Sequence, residues 1–177
     1  AGSNRILKLM NRRYTKEHYL DLVDKIRAAI PDIALSTDII VGFPGETEED
    51  FEETLDVVRR IQFDSAFMFI YSPRKGTPAA KLKQTTPSDE ISRRFKRLAD
   101  LQTEIATKLA KRFEGKTVEV LVDGPSKQNP EMLSGRTREN RLVNFRAEGV
   151  GTGDLVDVEI VRAGAFWLEG RGGKKRE

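Results

Sequence analysis

The sequence predicts an α/β protein whose first part alternates helices with parallel strands and whose second part is a small all-β barrel. Two apolar runs, residues 33–41 and 65–71, are separated by a segment whose apolar residues recur at helical spacing. This alternation is typical of a parallel sheet. From Gly115 onward apolar residues alternate with polar ones, which is typical of short antiparallel strands. We therefore predict an α/β domain over residues 1–113, a β-barrel over 114–171 and a disordered tail over 172–177.

Helices are predicted on both sides of the two strands. An amphipathic helix covers residues 5–12, and a second one begins after Thr15, a typical N-cap residue, and stops at Pro31. After the second strand, residues 86–87 (Thr-Pro) are typical of a helix start, and the apolar stripe that follows continues to Phe113. A helix of this length suits an element that closes one domain or leads into another.

The most informative segment is the strand–loop–helix over residues 33–61. Its strand is apolar at nearly every position, as expected for a parallel strand covered on both faces. The loop Gly42-Phe43-Pro44-Gly45 follows, and Thr47 with Asp50 forms a capping-box pattern. Ligands of α/β proteins bind where such loops leave the carboxyl ends of strands. A tight turn without a ligand is the alternative. The glycine spacing is not the dinucleotide fingerprint, and the lysine of a P-loop does not follow.

Short strands separated by glycine and proline are predicted beyond the long helix. Alternating valines mark a strand over residues 118–122 and another over 156–160, with further candidates at 132–138, 141–146 and 165–169. Several short strands at this spacing indicate a small barrel.

Composition limits the classes of function. The 177 residues carry 31 Lys+Arg against 28 Asp+Glu, so the net charge of +3 says little about partners. No apolar run has the length of a membrane span and no signal peptide is recognisable, so no membrane partner is expected and a cytoplasmic location is predicted. The absence of cysteine excludes disulfides, a zinc–thiolate site and a catalytic thiol within this chain.

Asp38 is the candidate ligand-binding carboxylate. It lies inside an apolar strand, where an unpaired charge would be costly. Either it forms an ion pair with a nearby arginine, or it faces a ligand cavity, where ribose hydroxyls are natural partners of a carboxylate. The residue type alone favours neither alternative.

Arginines cluster in the second part of the chain. Arg136, Arg138 and Arg141 lie close to Asn144 and Phe145. A solvated charged face explains this pattern as well as an RNA-binding surface does. Small barrels bind single-stranded RNA with guanidinium groups and an aromatic platform.

Four stretches together resemble a known family: ILKLMNRRYT, STDIIVGFPGETEEDF, FIYSPRKGTPAA and SGRTRENRLVNF. In this order they are similar to the C-terminal part of the radical S-adenosylmethionine methylthiotransferases. The last stretch favours the branch that adds a methylthio group to isopentenyl-adenosine beside the anticodon of tRNA. The resemblance implies the C-terminal part of a partial (β/α) barrel, followed by a TRAM domain, which is an OB-like RNA-binding barrel.

The resemblance also implies site residues. Arg12 and Asp38 fall on positions that hold the ribose of S-adenosyl-L-methionine in related enzymes. Val41, Gly42 and Phe43 would lie against the adenine, and the end of the next strand would close the pocket. The residues implied there are Tyr71, Ser72 and Pro73.

The cysteines that bind the family's 4Fe-4S clusters are absent from this chain. The resemblance implies that they belong to a missing N-terminal part of the same enzyme, so this chain alone is expected to be inactive. The implied partner is the tRNA anticodon stem-loop. Two alternatives are an RNA-binding module without activity and the branch that modifies a ribosomal protein.

Overall fold

The computed structural model describes residues 1–176, which form two compact units. The first unit is Ala1–Ile105, and the second begins at Ala106, inside the last helix. The boundary predicted at residue 114 lies just after the end of that helix. The first unit contains α1 (Asn4–Leu9), α2 (Lys16–Ala29), β1 (Ser36–Val41), α3 (Glu48–Ile61), β2 (Ser65–Ile70), a 3-10 helix (Pro78–Lys81) and most of α4 (Ser88–Lys111).

Side-chain caps set the beginnings of the first three helices. The hydroxyl groups of Ser3 and Thr15 accept hydrogen bonds from the backbone of α1 and α2. Thr47 and Asp50 form the predicted capping box at the start of α3. The helix predicted over residues 5–12 ends earlier, at Leu9, because Asn11 adopts a left-handed backbone with φ of 57°.

Strands β1 and β2 form a parallel pair, as predicted, with Asp38 aligned with Phe67. One face of this pair is covered, since Ile39 and Val41 are buried, and Ile39 lines the same cavity as Val57 and Val58 of α3. Side chains alternate along a strand, so Asp38 lies on the opposite face, where it is exposed.

The apolar run over residues 65–71 predicts a second buried strand, and this prediction is wrong. Phe67 is 62% exposed and Phe69 is 52% exposed. Within the described part of the first unit the sheet has only these two strands, so no layer covers the face that carries the two rings.

Five strands of the second unit form a closed barrel in the order β3-β4-β5-β7-β6. All neighbours are antiparallel except β5 and β7, which run parallel. Inward-facing residues such as Val120, Val156 and Leu168 are fully buried. The strands are β3 (Thr117–Pro125), β4 (Leu133–Thr137), β5 (Leu142–Phe145), β6 (Leu155–Gly164) and β7 (Trp167–Lys175).

The prediction of a disordered tail over residues 172–177 is wrong for the described residues. Strand β7 continues to Lys175 and pairs with β6. Arg176 forms ion pairs with Glu119 and Asp157. Backbone pairing and these charge pairs order the polar segment despite its composition, whereas the final residue lies outside the described range. Across residues 1–176, no helix combines the length and apolar character that crossing a membrane requires.

Candidate functional site

The loop after β1 has a fixed backbone. Gly42 has φ of +73°, and a side chain there would begin 2.7 Å from Ile91 of α4. Its N–H donates to the Glu46 carboxylate at 3.1 Å, and its carbonyl accepts from the Gln84 amide at 2.8 Å. The carboxyl end of β1 is therefore held in one conformation by residues of the first unit.

A buried ion pair, which the sequence patterns did not reveal, supports this loop. The Arg94 guanidinium donates to the Glu46 carboxylate at 3.3 Å and to the Glu46 backbone carbonyl at 3.1 Å. Burial raises the pKa of Glu46, although the Gly42 N–H and Arg94 oppose that rise. Arg94 lies three residues after Ile91, within the buried stripe of α4, and a charge inside that stripe was the signal that could have revealed it.

A second polar cluster fixes the start of α3. The Ser3 hydroxyl donates to Asp50 at 2.5 Å, Arg5 forms an ion pair with the same carboxylate, and the Thr47 N–H donates to it at 2.9 Å. Arg5 also donates to the Gly45 carbonyl at 2.5 Å. This cluster connects the beginning of α1 with the loop that follows β1.

The structure places Asp38 at an exposed position. Asp38 lies on the open face of the β1–β2 pair, and within residues 1–176 it forms no ion pair with Arg12 or with another residue. Arg12 is exposed too, and its backbone N–H donates to the Leu7 carbonyl. The structural salt bridge considered for Asp38 is therefore absent from the described chain.

Three of the remaining predicted cofactor residues meet at the ends of β1 and β2. The Tyr71 N–H donates to the Val41 carbonyl at 2.9 Å, and the Tyr71 and Phe43 rings meet edge to face with centroids 5.1 Å apart. Val41 and Phe43 are buried, whereas Ser72 and Pro73 are exposed. The structure thus brings Val41, Phe43 and Tyr71 together.

The Tyr71 hydroxyl has an unusual environment. It is buried, and within the described residues it has no hydrogen-bond partner. A buried hydroxyl group without a partner is costly, and it lies close to the strand ends where a ligand is predicted.

Strand pairing places two of the predicted RNA-binding residues on the outer surface of the barrel. Arg136 is aligned with Leu142, and Asn144 is aligned with Glu169 across β5 and β7. Leu142 and Asn144 flank the buried Val143 in β5, so their side chains lie on the outer surface together with those of their partners. Arg138 is 79% exposed in its side chain and pairs with Glu119 at 2.7 Å.

Phe145 and Arg141 do not match the predicted aromatic and basic surface. Phe145 is fully buried in the barrel core, so its ring has no exposed face on which a base can stack. Arg141 is also buried, with its guanidinium 5.3 Å from the centroid of the Phe113 ring. Both residues alternate inward along their segment, which the clustered sequence pattern did not reveal.

Two families match different parts of the chain. The model of the radical SAM superfamily matches residues 1–58, and that of the TRAM domain matches residues 111–171. The first match covers α1, α2, β1 and much of α3, and the second covers most of the closed barrel. The predicted partial (β/α) barrel followed by an OB-like TRAM barrel is confirmed.

Curated relatives are similar over nearly the whole chain. The tRNA-2-methylthio-N(6)-dimethylallyladenosine synthase of Geobacillus kaustophilus is 56% identical over 96% of this chain and 32% of its own length. The proteins of the same name from Clostridium botulinum and Acetivibrio thermocellus are each 55% identical over 96% of this chain, covering 38% and 35% of their own lengths. The chain therefore spans about a third of the length of these relatives.

Proposed function

We propose that this chain, which belongs to the radical SAM tRNA methylthiotransferases, provides part of the cofactor pocket and the tRNA-binding barrel of such an enzyme. The observation that carries the proposal is the 56% identity to a tRNA-2-methylthio-N(6)-dimethylallyladenosine synthase over 170 residues. The match extends across both units, so it supports a role for each. The proposed substrate is an isopentenyl-type adenosine beside the anticodon.

The cofactor part of the proposal concerns S-adenosyl-L-methionine. When bound and reductively cleaved, this cofactor supplies the radical that abstracts hydrogen from an unreactive carbon. The residues present fit its nucleoside half, since Asp38 offers an exposed carboxylate without an ion-pair partner within residues 1–176. Carboxylates accept hydrogen bonds from ribose hydroxyls, and Asp38 lies in the strand that leads into the fixed loop at Gly42.

The residues of this chain do not fit an iron–sulfur cluster. Such clusters are held by cysteine thiolates, and the chain contains no cysteine. The chain's own contribution is therefore to bind and orient the nucleoside and the tRNA, while cluster ligands belong to a different part of the proposed full-length enzyme.

Equilibrium dialysis of the chain with radiolabelled S-adenosyl-L-methionine tests the cofactor assignment. The variant Asp38→Asn should weaken binding by about 10-fold or more, because it weakens hydrogen bonds from hydroxyls to a charged acceptor. Asp32→Asn is the matched control, since Asp32 is an exposed carboxylate outside β1. Equal affinity of the two variants, or no binding by the unsubstituted chain, would contradict the assignment.

The tRNA part of the proposal has a separate test. Affinity for an anticodon stem-loop should fall with salt, and each phosphate contact should contribute a log–log slope of about −0.7 for single strands. Arg136→Gln and Arg138→Gln should each make the slope shallower by about that amount. A salt-independent affinity would refute a phosphate-binding role for these arginines.

A further inference from the structure

The hairpin that joins β6 to β7 displays two aromatic rings. Gly164 pairs with Trp167 across the hairpin, which leaves Ala165 and Phe166 as its two-residue turn. Phe166 is 64% exposed and Trp167 is 36% exposed. In the described part of the second unit the other two aromatic residues, Phe113 and Phe145, are buried. Exposed aromatic area in this unit is therefore concentrated at the hairpin tip.

The tryptophan side chain is held in a defined position. A side chain at Gly164 would begin 2.6 Å from the indole ring, so the absence of one lets the ring lie directly against the backbone. The Arg162 guanidinium lies 5.1 Å from the centroid of the indole ring, and Glu169 accepts from Arg162 at 2.6 Å. A ring held by its neighbours loses little rotamer freedom when a ligand stacks on it.

The hairpin tip belongs to the same outer surface as the predicted RNA-binding residues. Arg162 is aligned with Glu169, and Glu169 is aligned with Asn144 on the neighbouring strand β5. Strand β5 in turn pairs with β4, where Arg136 is aligned with Leu142. Arg136, Asn144, Arg162 and Trp167 thus share one face across four strands, which we call the outer face.

Charge distinguishes the unit that carries this face. Residues 106–177 contain 14 Lys+Arg against 11 Asp+Glu, whereas residues 1–105 contain 17 of each. The whole net charge of +3 therefore resides in the second unit. Positive charge combined with exposed aromatic rings is the chemistry that recognises unpaired nucleotides, through phosphate contacts and base stacking.

We propose that Phe166 and Trp167 are the stacking platform for unpaired RNA bases, a role that the sequence pattern assigned to Phe145. This inference rests on the proposed RNA-binding function of the barrel. It names the residues by which the barrel would bind the unpaired bases of an RNA loop in preference to an RNA duplex. Arg136, on the same face, binds phosphate, and the two rings at the hairpin tip bind bases.

Fluorescence anisotropy with a labelled RNA stem-loop and a fully paired duplex tests the platform in the full chain. Phe166→Ala and Trp167→Ala should each weaken stem-loop binding by about 5- to 150-fold. Neither variant should change the salt slope, because neither ring contacts phosphate. Trp167→Phe should retain most of the affinity. Leu22→Ala is the matched control, since Leu22 is a similarly exposed apolar residue of α2 in the first unit, and it should bind like the unsubstituted chain.

Trp167 is the single tryptophan of the chain, so its fluorescence gives a direct second readout. The stem-loop should quench this fluorescence and the duplex should not. If the chain binds the stem-loop while Phe166→Ala and Trp167→Ala both behave like Leu22→Ala, the platform is refuted and the proposed RNA-binding function stands. If the unsubstituted chain binds neither RNA, the RNA-binding function itself fails. Circular dichroism monitors the folding of each variant. If Trp167→Ala unfolds, Phe166→Ala provides the test, because Phe166 is highly exposed.

Discussion

Asp50 combines a structural role with a predictable response to acid. Burial alone would raise the pKa of its carboxyl, but hydrogen bonds from Arg5, Ser3 and Thr47 outweigh burial and hold the pKa far below its usual range. A carboxyl whose pKa is depressed on folding stabilises the folded state above the ordinary aspartate pKa. That contribution is lost as the pH falls from the ordinary value toward the depressed one.

We predict that Asp50→Asn lowers the free energy of unfolding by about 1–3 kcal/mol at neutral pH, as for lost hydrogen bonds to a charged group. The difference from the unsubstituted chain should shrink as the pH falls below the ordinary aspartate value of 3.8. Urea titrations followed by helical circular dichroism measure this difference.

The control for this experiment is Asp21→Asn. Asp21 pairs with Lys25 on the exposed surface of α2, with both side chains more than half exposed. Such pairs contribute about 0–1 kcal/mol. A difference for Asp50→Asn that is equally small, or that grows in acid, would show that the carboxylate cluster does not stabilise the fold.

Three residues, Asp38, Phe145 and Trp167, show what sequence patterns reveal about a site and what they do not. Asp38 stood out because a charge inside an apolar strand is a local anomaly, and strand alternation places it on an exposed face. Phe145 was misassigned because its neighbours in sequence are basic, whereas alternation along β5 turns its ring inward. Trp167 was missed because strand pairing, not sequence proximity, brings β7 beside β5.

At the scale of elements, two glycines in the turn after β1 allow the cost of backbone strain to be distinguished from the cost of overpacking. Gly42 and Gly45 both adopt left-handed backbones, with φ of +73° and +84°. A side chain at Gly42 would meet Ile91, whereas one at Gly45 would have nothing within 4 Å. The two glycines therefore form a natural matched pair.

We predict that Gly45→Ala destabilises the chain by about 1–2 kcal/mol, the cost of a left-handed backbone for a residue with a Cβ atom. Gly42→Ala should cost about 1–3 kcal/mol more, because the added methyl overpacks against Ile91. Thermal unfolding followed by circular dichroism compares the two variants. Equal losses would mean that Ile91 moves aside without cost, and the loop would then be less rigid than its contacts indicate.

Elements fixed by local signals were predicted well, and those that depend on distant partners were not. The capping box of α3 is formed by residues three positions apart, so the sequence contains all the information it needs. The exposure of β2 depends on which layers cover the sheet, and the order at residues 172–175 depends on pairing with β6. Neither dependence is visible within the segment itself.

At the scale of the whole molecule, the core of the second unit begins inside α4. Ala110 and Phe113 are buried in the same cluster as the barrel residues Val143 and Phe145. A barrel cut out at residue 114 lacks both. The end of the helix is thus part of what the barrel needs in order to fold.

We predict that a fragment beginning at Ala106 is more stable than one beginning at Glu114 by about 3–5 kcal/mol, the usual cost of removing a buried phenylalanine side chain. Urea unfolding monitored by the fluorescence of Trp167 measures both fragments. Equal midpoints would contradict the contribution of α4 and would favour the boundary predicted at residue 114.

The position of β7 in the barrel has a consequence for how the protein assembles. The last strand in sequence pairs with both β5 and β6, so the ring of strands stays open until β7 docks. Contacts between distant strands form slowly, and a nascent chain halted before Trp167 would display unpaired strand edges. The proposed RNA-binding surface should therefore form in a single late step, together with closure of the barrel, and not accumulate strand by strand during synthesis.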